Sequence, residues 1–277
     1  MTRETIAFIG GGHMASSLIA GLVSDGYDPT HLIVSEPDTD KRDQLASHFG
    51  VRVTPDNALA QGEADVVLLC VKPQMAHEVC TGLGHALTTK VPLYISVMAG
   101  IREESIQAWL GGGHRPLVRT MPNTPAMIQA GAIVLHASPE VSTGQRNRAE
   151  TIMRAGGLTR WVEREDLLDA VTAVSGSGPA YFFLLMEELE KVAIALGLDA
   201  ESARLLTIQT ALGAARMAME SSHDPAELRR RVTSPGGTTE SALRVLMAGD
   251  FSRLIDEAVR AAQARSAELS TLLAKSS

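Results

Sequence analysis

Disulfide frameworks, metal-ligand clusters and an excess of basic charge are all missing from this sequence. It has 2 cysteines, Cys70 and Cys80, which are too few for a disulfide framework and lack zinc-site spacing. The 8 histidines are scattered, so we expect no metal. Lys and Arg number 25 against 32 Asp and Glu, and a formal charge of −7 argues against nucleic-acid binding. The one dense basic run, residues 229–231, is interpreted as the solvated face of a short helix.

Long apolar runs are missing too. Uncharged apolar stretches such as residues 66–71 are far too short to span a bilayer. The first residues lead directly into a strand-like run, so we expect neither a signal peptide nor a membrane anchor. With two unpaired cysteines, the sequence predicts a cytoplasmic protein.

Short runs rich in β-branched residues alternate with helical patterns from residue 5 to about 162. The predicted strands are residues 5–9, 31–35, 65–71, 92–97, 115–120 and 132–136. Such alternation predicts an α/β fold with a doubly wound parallel sheet in an N-terminal domain, residues 1–161. The apolar run at 66–69 is typical of a strand covered by helices on both faces.

The remaining residues, 162–277, predict an all-α domain. One helix is expected to start after Gly178-Pro179 and to stop at Gly197. Residues 181–186 and much of 205–219 are apolar on every side of a helix, which favours burial all round. We therefore expect two subunits to share one helical core in a homodimer, with a self-contained monomeric bundle as the alternative.

A dinucleotide fingerprint opens the first predicted helix. The pattern is Gly10-Gly11-Gly12-His13-Met14-Ala15, directly after the first strand. Gly10 permits a tight turn, Gly12 lets the backbone approach a pyrophosphate, and Ala15 lets the helix pack closely on the strand. This context predicts a Rossmann-like, NAD(P)-binding domain, and a merely structural glycine turn is the alternative.

The end of the second strand gives conflicting signals about the cofactor. Glu36 can accept hydrogen bonds from a free ribose 2′-hydroxyl, which favours NADH. Ser35 with Lys41 or Arg42 can hold a 2′-phosphate, which favours NADPH. The ends of two later strands, 70–73 and 97–100, should border the same crevice, where Lys72 can meet anions or be an ordinary loop lysine.

Three further segments carry a specific resemblance. They are residues 119–125 (RTMPNTP), 174–181 (VSGSGPAY) and 231–240 (RVTSPGGTTE). In this order, and with the fingerprint, the chain resembles the pyrroline-5-carboxylate reductase family over essentially its whole length. The resemblance implies reduction of a small cyclic imine carboxylate by NADPH or NADH, in the last step of proline synthesis. It also implies a helical dimerisation domain and a homodimer or larger ring of dimers.

The resemblance also implies roles for individual residues. The cofactor's adenosine end would contact Ser35 and Asn57, and its remaining contacts would come from Cys70, Val71, Lys72, Pro73, Val97, Met98, Ala99 and Asn123. The substrate would meet Glu165, Ser234, Gly236, Gly237, Thr238 and Thr239. An acidic Glu36 should repel a 2′-phosphate, so the cofactor preference stays open.

The segment at 234–240 also makes chemical sense by itself. Residues 234–237 form a turn, and Thr238, Thr239 and Glu240 can cap the helix that follows. Glycine N–H groups and a helix N-terminus attract a carboxylate. We expect Gly236, Gly237 and Thr239 backbone groups to bind the substrate carboxylate and the catalytic Thr239 hydroxyl to orient the ring nitrogen.

Two rival functions stay open. A β-hydroxyacid dehydrogenase or related imine reductase shares the domain order, but such dehydrogenases use a lysine on the long helix. Here no lysine follows Gly178 before Lys191. A non-catalytic nicotinamide sensor would need an effector module, and none is visible in the sequence.

Overall fold

This computed structural model describes residues 4–86 and 90–275. Within them, the strands are β1 (Ile6–Ile9), β2 (Leu32–Ser35), β3 (Arg52–Thr54), β4 (Val66–Leu69), β5 (Leu93–Ser96), β6 (Leu117–Met121), β7 (Gly131–Ala137) and β8 (Gly157–Trp161). The α-helices are α1 (His13–Ser24), α2 (Thr39–Phe49), α3 (Asn57–Glu63), α4 (Ala76–His85), α5 (Glu103–Trp109), α6 (Thr143–Arg154), α7 (Leu167–Val171), α8 (Gly178–Ala195), α9 (Ala200–Glu220), α10 (Pro225–Arg231), α11 (Thr238–Ala248) and α12 (Phe251–Lys275). A π-helical turn, Thr172–Gly176, joins α7 to α8.

The strands form one sheet in the order β3-β2-β1-β4-β5-β6-β7-β8. β1 lies between β2 and β4, with Ile6 opposite Leu32 on one side and Val66 on the other. The strand order therefore reverses direction at β1 and β4. In doubly wound sheets, ligands bind beyond the carboxyl ends of the strands at this switch point.

The predicted doubly wound α/β sheet is confirmed, with one correction. β6 and β7 pair antiparallel, and the other neighbouring strands are parallel. Only residues 122–130 connect β6 to β7. That connection is too short because a parallel crossover needs about a dozen residues or more.

The sheet is covered on both faces. Ile6 and Phe8 of β1 belong to one apolar cluster, and Ala7 and Ile9 belong to a second. Residues of α1 and α6 contribute to the first cluster, and residues of α3, α4 and α5 contribute to the second. Because successive strand residues point to opposite faces, burial of both faces explains the unbroken apolar runs in the sequence.

The chain divides into two compact units. The first comprises Met1–Ser177 with Ala262–Ser277, and the second comprises Gly178–Ala261. Every described element after Trp161 is helical, as expected. The functional division into residues 1–161 and 162–277 stays a prediction.

The second unit has almost no apolar core of its own. Gly178 and Ala203 are the only buried residues in it, and all of its residues are described. Large apolar side chains on α8 and α9 are exposed, including Phe182, Phe183, Leu184, Leu205, Leu206 and Met217. An apolar surface of this extent is typical of a protein–protein interface.

The described residues contain neither a membrane-spanning helix nor a metal-binding cluster. No helix among them has the length and apolar character required to cross a membrane. No group of three or more His, Cys, Asp or Glu side chains among them is arranged to hold a metal ion.

Candidate functional site

Gly10 forms the turn after β1. Its φ is +97°, a conformation that favours glycine, and a Cβ there would lie 2.8 Å from the carbonyl oxygen of Cys70. Its N–H donates to the carbonyl oxygen of Ser35 at 2.8 Å. The turn therefore ties together the carboxyl ends of β1, β2 and β4.

The N-terminus of α1 is left free of side-chain caps. Gly12 is its N-cap, so within the described chain no N-cap side chain accepts a hydrogen bond from the first-turn N–H groups. A Cβ at Gly12 would meet nothing within 4 Å, so the turn is open on that side. Five other helices begin with side-chain caps, at Asp38, Asp56, Ser142, Asp199 and Asp224. The first-turn N–H groups of α1 are thus available to bind an anion.

A cavity of about 500 Å³ lies at this helix N-terminus. Its lining residues are Gly11, Gly12, His13, Ser16, Lys41, Gln44, Leu45, His48 and Lys72. Of the predicted cofactor residues, Gly11, Gly12, His13 and Lys72 therefore border one cavity. Ala15 lies on the buried face of α1, as close packing of helix on strand requires. Met14 packs against the first apolar cluster.

The end of β2 carries two predicted adenosine contacts, Ser35 and Glu36, and the third, Asn57, is the first residue of α3. The Ser35 hydroxyl donates to Asn57 Oδ1 at 2.7 Å, and Ser35 is buried. The Glu36 carboxylate accepts the Gly11 N–H at 3.0 Å through Oε2. Ser35 and Asn57 are thus paired with each other, and Glu36 contacts the glycine loop directly.

The ends of β4 and β5 lie side by side. The Val97 N–H donates to the Leu69 carbonyl oxygen at 3.2 Å, and Val71 Cγ1 lies 3.2 Å from where a Gly10 Cβ would be. Met98 is buried in the second apolar cluster, whereas Ala99 is exposed. Predicted cofactor contacts at 70–73 and 97–99 therefore flank the glycine turn, and Met98 can offer only its backbone.

Asn123 is held by the fold itself. Its Oδ1 accepts the Ala132 N–H at 2.9 Å, and its Nδ2 donates to the Ser175 carbonyl oxygen at 3.1 Å. Both ends of the side chain thus brace the start of β7 and the π-helical turn. A direct contact from Asn123 to a cofactor stays a prediction.

Glu165 forms an ion pair with the buried Arg119 and is itself partly exposed. Its Oε1 accepts from Arg119 Nη1 at 2.5 Å and from the Glu103 N–H at 2.6 Å. Arg119 is 6% exposed, and burial lowers the pKa of its guanidinium while Glu165 opposes that shift. Glu165 therefore supplies the N-terminal cap of α5, which no pattern in the sequence indicated.

Further charges surround this pair. We call Arg102, Glu103, Arg119, His136, Glu165 and Asp169 the charged cluster. His136 Nε2 lies 3.7 Å from Glu103 Oε2, and the hydrogen bond to Glu103 raises the pKa of His136 against the effect of burial. Asp169 binds Arg102 and also accepts from Ser266 Oγ at 2.7 Å, which fixes the end of α12 to the first unit.

The second unit carries the predicted substrate segment at the start of α11. Gly237 is the N-cap of α11, so within the described chain no N-cap side chain accepts a hydrogen bond from the first-turn N–H groups. Thr238 and Thr239 occupy the first turn. Here, as at α1, a glycine N-cap leaves first-turn N–H groups without a side-chain partner.

One expected detail of this turn needs correction. Gly236 has φ of +70°, and its N–H donates to Glu240 Oε2 at 2.7 Å. The Gly237 N–H donates to the Ser234 carbonyl oxygen at 3.0 Å. These two donors shape the turn and are engaged within it, so they are not free for a substrate. Of the expected capping residues 238–240, Glu240 reaches back to the start of the helix, and Gly237 is the N-cap.

The first unit fits a dinucleotide. It combines an open glycine turn at an uncapped helix N-terminus, an adjoining cavity with two lysines, and a carboxylate after β2. These are the features that hold a pyrophosphate and an adenosine ribose at the switch point of such a sheet.

Comparison with known families and proteins agrees with this geometry. Residues 165–269 match the family described as pyrroline-5-carboxylate reductase dimerisation, and residues 5–100 match NADP oxidoreductase coenzyme F420-dependent. The chain is 49% identical over 273 residues to the pyrroline-5-carboxylate reductase of Pseudomonas aeruginosa, which covers 99% of each.

Solved structures give the same answer. A pyrroline-5-carboxylate reductase from Coxiella burnetii is 46% identical with a TM-score of 0.92, covering 97% of this chain and 99% of that one. The Plasmodium falciparum pyrroline carboxylate reductase with NADP bound is 26% identical with a TM-score of 0.84, covering 96% and 98%. With a relative of such identity matched along its full length, the chain belongs to the pyrroline-5-carboxylate reductase family.

Proposed function

We propose that this chain reduces 1-pyrroline-5-carboxylate to L-proline with NADPH or NADH. The observation that carries the proposal is the pairing, in one chain of this family, of two helices with glycine N-caps and no side-chain caps. One, α1, follows the dinucleotide fingerprint, and the other, α11, begins with two threonines. Each offers partial positive charge to an anion, which suits a cofactor pyrophosphate and a substrate carboxylate.

The substrate carboxylate binds the first turn of α11 in this proposal. Since Gly236 and Gly237 already donate within the turn, the N–H groups of Thr238 and Thr239 are the available backbone donors. Ser234 and Thr238 hydroxyls supply further donors. The role of Gly236 and Gly237 is then to hold the turn in shape, and positive φ at Gly236 makes that position unsuitable for other residues.

A protonated cyclic imine needs positioning more than covalent help. The chemistry that bound NAD(P)H supplies is hydride transfer to the imine carbon. The Thr239 hydroxyl orients the ring nitrogen, and the α11 N–H groups fix the carboxylate, so the reacting carbon is held in one orientation. Glu165 has Oε1 engaged by Arg119 and Glu103, which leaves Oε2 for a substrate contact.

The proposed assembly is a homodimer or a larger ring of dimers in the cytoplasm. Residues 165–269 match a dimerisation family, and the apolar faces of α8 and α9 are exposed in the single chain. Both cysteines are free, and burial raises the pKa of each thiol to about 12, so they are unreactive thiols suited to a reducing compartment.

Following the oxidation of NADPH and NADH with pyrroline-5-carboxylate present tests the activity. Imine-dependent oxidation with stoichiometric proline is the expected result. Reduction of NADP+ or NAD+ that requires a β-hydroxyacid would favour the dehydrogenase alternative. Cofactor binding without turnover of any imine would favour the sensor alternative and refute the proposal.

A further inference from the structure

Glu36 fixes a carboxylate where the cofactor's adenosine ribose is expected. It follows the last residue of β2 and is 8% exposed. Its Oε2 accepts the Gly11 N–H at 3.0 Å, and its Oε1 accepts the Asp38 N–H at 3.2 Å. One backbone donor in the fingerprint loop and one in the loop after β2 therefore hold the carboxylate between the two loops.

The position has a clear chemical consequence. In doubly wound sheets the adenosine ribose lies at the carboxyl end of the second strand. Each oxygen of a carboxylate has a second lone pair, so Glu36 can still accept from the two ribose hydroxyls of NADH. A 2′-phosphate offers acceptors and negative charge instead. Two neighbouring negative charges repel each other in a partly buried site.

One of the two nearby cations that could offset this repulsion, Arg42, is engaged elsewhere. Arg42 donates from Nη1 to the carbonyl oxygens of Glu36 and Pro37 at 2.7 and 2.8 Å, and from Nη2 to Thr39 Oγ1 at 2.9 Å. The guanidinium thus closes the loop after β2. The Ser35 hydroxyl, the other candidate for holding a phosphate, donates to Asn57 and is buried.

Lys41, the other candidate cation, lines the cavity together with Lys72. Gly12 and His13 also line it, beside the N-terminus of α1. That helix N-terminus suits the pyrophosphate, which NADH and NADPH share. Lysine charge that reaches the pyrophosphate stabilises both dinucleotides to a similar extent, whereas Glu36 acts only on the group that differs.

Resting on the proposed function, we propose that Glu36 makes this enzyme select NADH over NADPH. The selection acts on binding, so it is measurable without the imine. Titration of the full-length protein with each reduced nucleotide, followed by nicotinamide fluorescence, should give NADH a Kd at least about tenfold lower than that of NADPH.

The test variant is Glu36→Gln, which removes the charge and keeps the shape. It should reduce the NADH-to-NADPH preference to within about twofold, mainly through tighter NADPH binding. Asp38→Asn is the matched control because it removes a charge two residues away while keeping an oxygen for the α2 cap. The control should keep the wild-type preference.

A second measurement does not depend on the variant's folding. In the wild-type protein, ADP-ribose should raise the thermal midpoint more than its 2′-phosphorylated form at equal concentration. Added salt should narrow the NADH–NADPH difference, because it screens the repulsion.

The proposal is overturned if wild-type protein binds NADPH as tightly as NADH, or if Glu36→Gln and Asp38→Asn change the preference equally. Selective NADH binding without imine turnover would support it and refute the proposed activity. Imine turnover with equal affinity for both nucleotides would support the proposed activity and refute the role of Glu36 in selecting NADH.

Discussion

Gly10 and Gly12 lie in the same loop, but a methyl group has a different effect at each. At Gly10 it would be strained by φ of +97° and would meet the Cys70 carbonyl oxygen at 2.8 Å. At Gly12 it would meet no protein atom within 4 Å and would point into the open side of the turn.

Alanine substitution at these two positions should therefore separate stability from binding. Gly10→Ala should lower the free energy of unfolding by about 1–3 kcal/mol. Gly12→Ala should leave the thermal midpoint near that of the wild type and weaken dinucleotide affinity. Thermal melts and nucleotide titration measure both effects. A stable Gly10→Ala protein, or a Gly12→Ala protein with unchanged affinity, would contradict this assignment.

Thr239→Ala tests the proposed catalytic hydroxyl. A hydrogen bond to the reacting group contributes about 2 to 4 kcal/mol, so kcat/KM should fall roughly thirty- to a thousand-fold while cofactor affinity is unchanged. Thr239→Ser should restore most of the activity. Thr143→Ala, which alters an exposed threonine in the first turn of α6, is the control and should behave like the wild type. Wild-type turnover in Thr239→Ala would contradict a catalytic role for the Thr239 hydroxyl.

Single residues were predictable where the motif itself carries the chemistry. The glycine fingerprint indicated the turn, the helix start and the cavity beside it. Two partners could not be predicted because they are distant in sequence: Ser175 lies 52 residues from Asn123, and Arg119 lies 46 residues from Glu165. Such contacts depend on how strands and loops are arranged in three dimensions.

Strands in the middle of the sheet were predicted more readily than those at its edges. β1, β4 and β5 are buried on both faces and so appear as apolar runs. β3 and β8, at the two ends of the sheet order, carry partly exposed residues and were missed. The antiparallel direction of β7 depends on the length of its connection to β6, which composition does not reveal.

The charged cluster couples β7 to α5 in a pH-dependent way. The hydrogen bond to Glu103 raises the pKa of His136, so folding favours its protonated form. That stabilisation is complete below the unfolded pKa of about 6.5 and is lost as pH rises through the higher folded value. Urea unfolding of the wild type should therefore show a decline over this window that is weaker in His136→Gln.

Glu103→Gln provides the companion measurement. It removes the charged partner of His136 and should reduce the decline in the free energy of unfolding over the same pH window. If His136→Gln retains the full wild-type decline, the His136–Glu103 interaction does not contribute to it.

At the scale of the whole molecule, the second unit requires apolar contacts that it does not make within itself. Leu206→Glu on α9 should disrupt self-association, raising the dimer Kd by at least about a hundredfold, because a charge would be buried there. Leu158→Glu on β8 is a matched control, since the two leucines are 57% and 58% exposed in the single chain. Sedimentation velocity distinguishes the variants, and equal behaviour of both would locate the interface elsewhere.

The path of α12 has a consequence for synthesis in the cell. This helix starts in the second unit, but its residues from Ala262 onward belong to the first, where Ser266 binds Asp169 and Leu273 packs against the second apolar cluster. The first unit thus lacks part of its packing until the end of α12 is translated. A nascent chain on the ribosome must therefore hold this unit incomplete while the whole helical unit is being made, and it can complete its packing only once α12 has emerged.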